Sequence, residues 1–122
     1  MMNFRGERQK EGSNGKGMIN EIIQGDILSV ERVNTPILVV SKTFFNKSEQ
    51  IIACPIVLKT VEDPLHISID TNDIQGVVLC EQMKLLDLRI RVYKKIGELS
   101  LNEIMNITDA IQSIFDYYPF GK

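Results

Sequence analysis

Histidine, cysteine, long apolar runs and any strong excess of one charge are all scarce in this 122-residue chain. A single histidine, His66, and two cysteines without Cys-x-x-Cys spacing leave too few ligands for a zinc site. No metal and no cofactor is therefore expected. Cys54 and Cys80 each sit in an apolar run, where free cysteine packs as a small hydrophobe and a reducing cytosol keeps it a thiol. The longest apolar stretch, "PILVVS" at 36–41, is far too short to cross a bilayer. The first residues are polar and charged and lack the apolar core of a signal peptide, so the expected location is cytoplasmic, with no membrane partner. Net charge is −2 and uneven. Residues 1–17 carry Arg5, Arg8, Lys10 and Lys16 against Glu7 and Glu11, a balance of +2, whereas residues 18–122 carry ten basic and fourteen acidic residues, a balance of −4. A nucleic-acid site on such a body must be a local basic patch.

The length is that of one domain, large enough to bury a core without a disulfide or metal. "MMNFRGERQKEGSNGKG" has four glycines, many charges and little apolar beyond Phe4, too little to offset the entropy of ordering it. Residues 1–17 are expected to form a flexible extension, 18–118 the folded domain and 119–122 a tail. Within the domain, "DILSV" alternates, while "PILVV" and "QIIACPIV" are continuous apolar runs bounded by turn residues, as in strands. "FFNKSEQ" reads as a turn or a single helical turn. "PLHISID" places Leu65, Ile67 and Ile69 on one face and His66, Ser68 and Asp70 on the other. "VVLCEQMKLL" reads as one long strand or two joined at a bend, and "LRIRVYKK" as a charged loop before the last helix. That helix opens on the capping box of Ser100 and Glu103 and continues through Ile104, Ile107, Ile111, Ile114 and Tyr118, with Pro119 and Gly121 as stops. There is no internal repeat. The pattern predicts a mainly β fold with a C-terminal helix, a small and strongly bent antiparallel barrel.

The succession "GDIL", "PILVVS", "FNKSEQIIACPIV", "PLHISI", "VVLCEQMKLLD" and "KIGELSLNEIMNITDAI" resembles the MazF/PemK family, the toxins of bacterial type II toxin–antitoxin pairs. The resemblance covers about Gln24 to Ile114. It implies an SH3-like barrel, a homodimer, a cognate antitoxin and metal-independent cleavage of single-stranded RNA. Such cleavage needs a base for the ribose 2′-hydroxyl, an acid for the departing 5′-oxygen and a cation for the charged phosphorane.

The resemblance also implies an arginine just before the proline of the second strand and a threonine after the third strand. Here those positions are Thr35 and Val57, and "ERVNT" stands in place of a longer Gly-rich loop. Glu81 matches an acidic position that some family members use as the acid, although its usual arginine neighbour two residues earlier is Leu79 here. Arg32 lies in the shortened turn and is the available guanidinium; its ordinary role is that of a solvated hairpin residue. Glu81 and Arg32 are the catalytic candidates. Thr35, Lys59, Thr60, Lys84, Arg89 and Arg91 are the candidate RNA contacts, with Tyr93 able to stack on a base. His66 is ordinarily structural on such a strand, although its titration range suits proton transfer. Two functions follow: an endoribonuclease toxin with a rearranged site, or a catalytically silent relative that binds an antitoxin-like peptide, nucleic acid or another protein.

Overall fold

A computed structural model describes residues 21–115 of the chain. Expectations for residues 1–17, Tyr118, Pro119 and Gly121 lie outside the described residues. The elements run β1 (Asp26–Val30), β2 (Ile37–Val39), the short α1 (Thr43–Asn46), β3 (Gln50–Val57), β4 (His66–Asp70), β5 (Gln75–Leu79), β6 (Lys84–Asp87), β7 (Tyr93–Glu98) and α2 (Leu101–Phe115). The strands pair antiparallel in the order β4-β5-β3-β2-β1-β7, with β6 also on β3. The sheet bends round without closing, and the β4–β5 turn comes to β7: a methyl group on Gly97 would lie 3.6 Å from the Cβ of Asp73. This is the mainly β architecture with a C-terminal helix that the sequence predicts.

The continuous apolar runs are explained by burial on both faces of the central strands. Ile27, Leu38, Cys54, Ile56 and Val78 face one core, which α2 covers with Ile107 and the partly buried Ile104, Ala110 and Ile111. Their neighbours Leu28, Ile37, Val39, Ile51 and Ala53 face a second core, completed by Ile22 and Leu88. Ser100 and Glu103 form the expected capping box, with Ser100 N–H donating to Glu103 Oε1 at 3.1 Å and Glu103 N–H to Ser100 Oγ at 3.3 Å. Ile114, expected on the buried stripe, is 40% exposed in the last described turn of the helix.

One feature of β3 shapes the functional region. Ile56 N–H donates to Pro36 O and Val40 N–H to Ile52 O, so the even-numbered residues of β3 bond to β2. Strand alternation turns Pro55 to the other edge, where β5 and β6 lie. Proline has no N–H for that ladder, and the ladder is interrupted there. Between the pairs Ile56↔Val78 and Ala53↔Lys84, β3 advances three residues while its partner advances six. The surplus is a 3₁₀ turn, Cys80–Gln82, that carries Glu81 outward. The expected bend in "VVLCEQMKLL" is this turn.

Segment 88–95 differs from the expected loop. Leu88–Ile90 is a 3₁₀ turn and Tyr93 begins β7, which pairs with β1 through a register shift between Ile27 and Leu28. Leu88 is buried and Tyr93 packs against the second core. β7 is a terminal strand of the sheet, and Lys94, Lys95 and Glu98 are its exposed residues. Lys95 reaches back to the buried carboxylate of Asp26 at 3.2 Å and to Glu98 at 2.6 Å.

Candidate functional site

His66 and Glu81 meet where β4 begins and the 3₁₀ turn bulges. Asp63 starts a tight turn, accepting from Leu65 N–H through its carboxylate at 2.8 Å and from His66 N–H through its carbonyl at 3.0 Å. Cys80 N–H donates to Leu65 O at 2.9 Å, tying the bulge to the start of β4. The strand register sets His66 opposite Leu79, two residues before Glu81. His66 Nδ1 donates to Val61 O at 2.8 Å, and Nε2 lies 3.1 Å from Glu81 Oε2. The imidazole side chain is 10% exposed and the carboxylate 37%.

Both ring nitrogens therefore face acceptors, and only the imidazolium can donate to both. The Val61 carbonyl, followed by the Glu81 carboxylate, raises the His66 pKa above its ordinary value. The hydrogen bond from His66 in turn lowers that of Glu81. Glu81 is thus held as a carboxylate and suits the role of base better than acid, whereas His66 has a proton to give. By contrast, the two thiols behind the bulge are chemically quiet. Burial pushes Cys54 up to about 12 and Cys80 up to about 11.

A cleft of about 540 Å³ opens at the other end of the β4–β5 hairpin from this couple, between the β1–β2 turn, the end of β3 and the β4–β5 turn. Pro36, Ile56, Val57, Leu58 and Ile74 supply its apolar wall, and Asn34, Thr35, Lys59, Asp73 and Gln75 its polar groups. Lys59 lines the cleft and Val61 holds His66. Along β5 the cleft residue Gln75 and Leu79, the residue opposite His66, lie four residues apart, about 13 Å, although Lys59 and Val61 are only two positions apart in the chain. Thr60, exposed, is the residue between.

The structure thus brings Thr35 and Lys59 into one cleft, beside Val57, and places Glu81 on His66. Arg32 sits exposed in the β1–β2 turn at φ +67°, and its side chain has no partner among the described residues. Arg91 Nη1 donates to the carbonyl of the neighbouring Glu31 at 3.2 Å. Arg89 is remote from the cleft. It is bound in a two-point contact to Asp87, whose partner Gln50 lies at the opposite end of β3 from Val57, about 23 Å along the strand. Lys84 is exposed on β6 opposite Ala53. Tyr93 is occupied by core packing. Asn34 and Gln75 were not singled out by their sequence neighbourhood, and His66 gave a signal only through its place in the "PLHISI" stretch.

The family model of the PemK-like, MazF-like toxins of type II toxin–antitoxin systems matches residues 23–115. No curated protein matches the sequence significantly. Among solved structures, MazF in a MazE–MazF crystal from Deinococcus radiodurans is similar at 20% identity and TM-score 0.72, over 80% of this chain and 98% of that one. An endoribonuclease in complex with its cognate antitoxin, from a mycobacterial species, is similar at 16% identity and TM-score 0.68, over 77% and 94%. The Mycobacterium tuberculosis toxin MazF-mt6 is similar at 16% identity and TM-score 0.64, over 76% and 99%. These likenesses establish a shared fold, and the family match spans both the cleft and the His66–Glu81 couple. The chain belongs to the PemK-like, MazF-like toxin family of type II toxin–antitoxin systems.

Proposed function

We propose that this toxin cleaves single-stranded RNA in the cytoplasm, with the His66–Glu81 couple handling the protons. The observation that carries the proposal is the contact of 3.1 Å between an imidazole and a partly exposed carboxylate. Glu81 takes the proton of the ribose 2′-hydroxyl, whose oxygen attacks phosphorus. The P–O5′ bond breaks as the P–O2′ bond forms, and His66 gives its proton to the departing 5′-oxygen. The proton on Glu81 then passes to His66 through their shared hydrogen bond and restores the starting couple. Positive charge for the phosphorane comes from the imidazolium, with Lys59 and Arg32 as further candidate cations and Thr60 as a candidate hydroxyl donor. Lys84 and Arg91 are second-rank RNA contacts, and Arg89, tied to Asp87, is the least suited.

The partners proposed with this activity are a cognate antitoxin and a second copy of the chain. Ile90, Phe44 and Leu101 are more than 70% exposed and are surfaces that such partners would cover. A silent binding module is the alternative. It is favoured by Thr35 and Val57 at the positions where the family resemblance implies arginine and threonine, since neither residue supplies a cation.

Inducing the full chain in bacteria, with growth recorded and RNA ends mapped, separates the two. Growth arrest with new ends at a recurring short sequence, abolished by Glu81→Gln and by His66→Gln, is the expected result. Intact RNA at normal growth overturns the enzyme and leaves the binding module.

A further inference from the structure

The sheet stays open, and β4 and β7 are its two ends. A groove of about 720 Å³ lies where they approach each other, between the β4–β5 turn, the end of β7 and the first turn of α2. Its charge is one-sided. Asp70, Asp73, Glu98 and Glu103 line it against a single ammonium, that of Lys95. That ammonium is already taken up by Glu98 and by the buried Asp26. The carboxylates of Asp70 and Asp73 have no hydrogen-bond or ion-pair partner among the described residues. A groove of this kind repels phosphate and suits an extended cationic segment.

The chain itself contains such a segment. Of the two parts outside the described residues, 116–122 is neutral, with Asp116 against Lys122. Residues 1–20 have four cations, Arg5, Arg8, Lys10 and Lys16, against the two carboxylates of Glu7 and Glu11. The chain also enters the described fold beside the groove. The Asp26 carboxylate accepts from Ile23 N–H at 3.0 Å and holds Lys95 Nζ at 3.2 Å. One side chain therefore spans from the incoming backbone to the groove lining. Lys16 is seven residues ahead of Ile23, a reach of up to about 24 Å. A tether this short gives the segment an effective concentration on the order of mM at the groove.

We propose that residues 5–16 dock into this groove in the same molecule, an electrostatic strap across the open end of the sheet, with Asp70 and Asp73 meeting its cations. The docking is independent of the nuclease reading, because the groove contains neither His66 nor Glu81.

The test uses the full chain at a limiting dose of trypsin, with mass spectrometry following the cuts after Arg8 and Lys10. An isotope-labelled peptide of residues 1–17 in the same tube gives the rate for the undocked segment. At low salt the chain is expected to be cut about 5-fold more slowly than the peptide, as a few exposed ion pairs held by a short tether allow. The difference should vanish at about 0.5 M salt, where screening is nearly complete. The double variant Asp70→Asn/Asp73→Asn should lose the protection at low salt, whereas Glu62→Gln, exposed outside the groove, should keep it. Arg5→Gln/Lys16→Gln, which leaves residues 21–115 untouched, should speed the cut after Arg8. Equal rates in chain and peptide, or protection that survives either double variant, overturn the strap. Protection that rises with protein concentration overturns docking within one molecule and assigns the groove to the segment of a second copy.

Discussion

Because the chain contains a single histidine, the proton equilibrium of His66 can be followed without assignment ambiguity, and it reports directly on the candidate site. In the folded protein the imidazole C–H resonances should titrate above 6.5, the ordinary value for the group. Replacing Glu81 with Gln removes the second-ranked of the groups that favour the imidazolium and leaves the first, the Val61 carbonyl. The midpoint in Glu81→Gln should therefore fall towards 6.5 without losing the contribution of Val61. The charged neighbours of the ring are Glu81 from the bulge and Asp63 from the turn before β4, so Asp63→Asn should move the midpoint less, in the same direction. The pair has a pH window. The raised His66 pKa contributes stability that is fully present below about 6.5 and is lost as pH rises through the folded value. The lowered Glu81 pKa contributes stability present above about 4.5 that is lost as pH falls through its folded value. RNA cleavage should fall at the same two limits. Loss of the base in Glu81→Gln should slow it by at least about 100-fold, the lower end for a positioned proton-transfer group. An unshifted His66 in the native protein, or a midpoint indifferent to Glu81→Gln, refutes the coupling on which the chemistry depends.

Three further outcomes are expected. Gly25 has φ +101°, and a methyl group there would run into the Ile104 side chain, so Gly25→Ala combines backbone strain with overpacking. It should cost about 2–4 kcal/mol in chemical denaturation, whereas Gly97→Ala, with space at 3.6 Å, should be tolerated. Asp26 is 3% exposed, accepts from Ile23 N–H at 3.0 Å and pairs with Lys95, so Asp26→Ala should cost about 2 kcal/mol by the same measurement. Thr35→Arg adds a guanidinium to the cleft beside Asp73. Binding of deoxyoligonucleotides should become tighter and more salt-sensitive, and an unchanged salt dependence would show that nucleic acid does not enter there.

The parts of the fold legible in the sequence were those written in one period at a time. Apolar runs gave β2 and β3, alternation gave β1 and β4, and the Ser100–Glu103 box gave the start of α2. β7 was harder. Its exposed Lys94 and Lys95 are adjacent, and its pairing slips by a bulge opposite Ile27 and Leu28, so no clean alternation survives. The candidate site was legible as separate residues and not as contacts. Glu81 stood at a bend and His66 on a polar strand face, fifteen residues apart. Their meeting depends on the β4–β5 register and on the Cys80–Leu65 hydrogen bond, neither of which has a local signature. Asn34 and Gln75 were invisible for the same reason, since two turns distant in the chain form one cleft wall only after the sheet bends.

The bulge links backbone chemistry to the site most directly. A proline in the middle of a two-sided strand would ordinarily cost a ladder bond. Here Pro55 faces the one stretch of β3 where β5 has ended and β6 has not begun. The three surplus residues that make this gap expose Glu81 while burying Cys80 beneath it. The first core holds the turn from below through Cys80, and β4 holds it from the side through Leu65. The carboxylate therefore stands on a short, doubly anchored turn rather than on a free loop. Such anchoring is what a proton-transfer pair requires, because its rate depends on keeping two side chains at hydrogen-bonding distance through each cycle. On the proposed reading, a family member without an arginine at Thr35 keeps a charged centre in this anchored couple. In the proposed chemistry the positive charge is carried by an imidazole set in the sheet and not by the short β1–β2 turn.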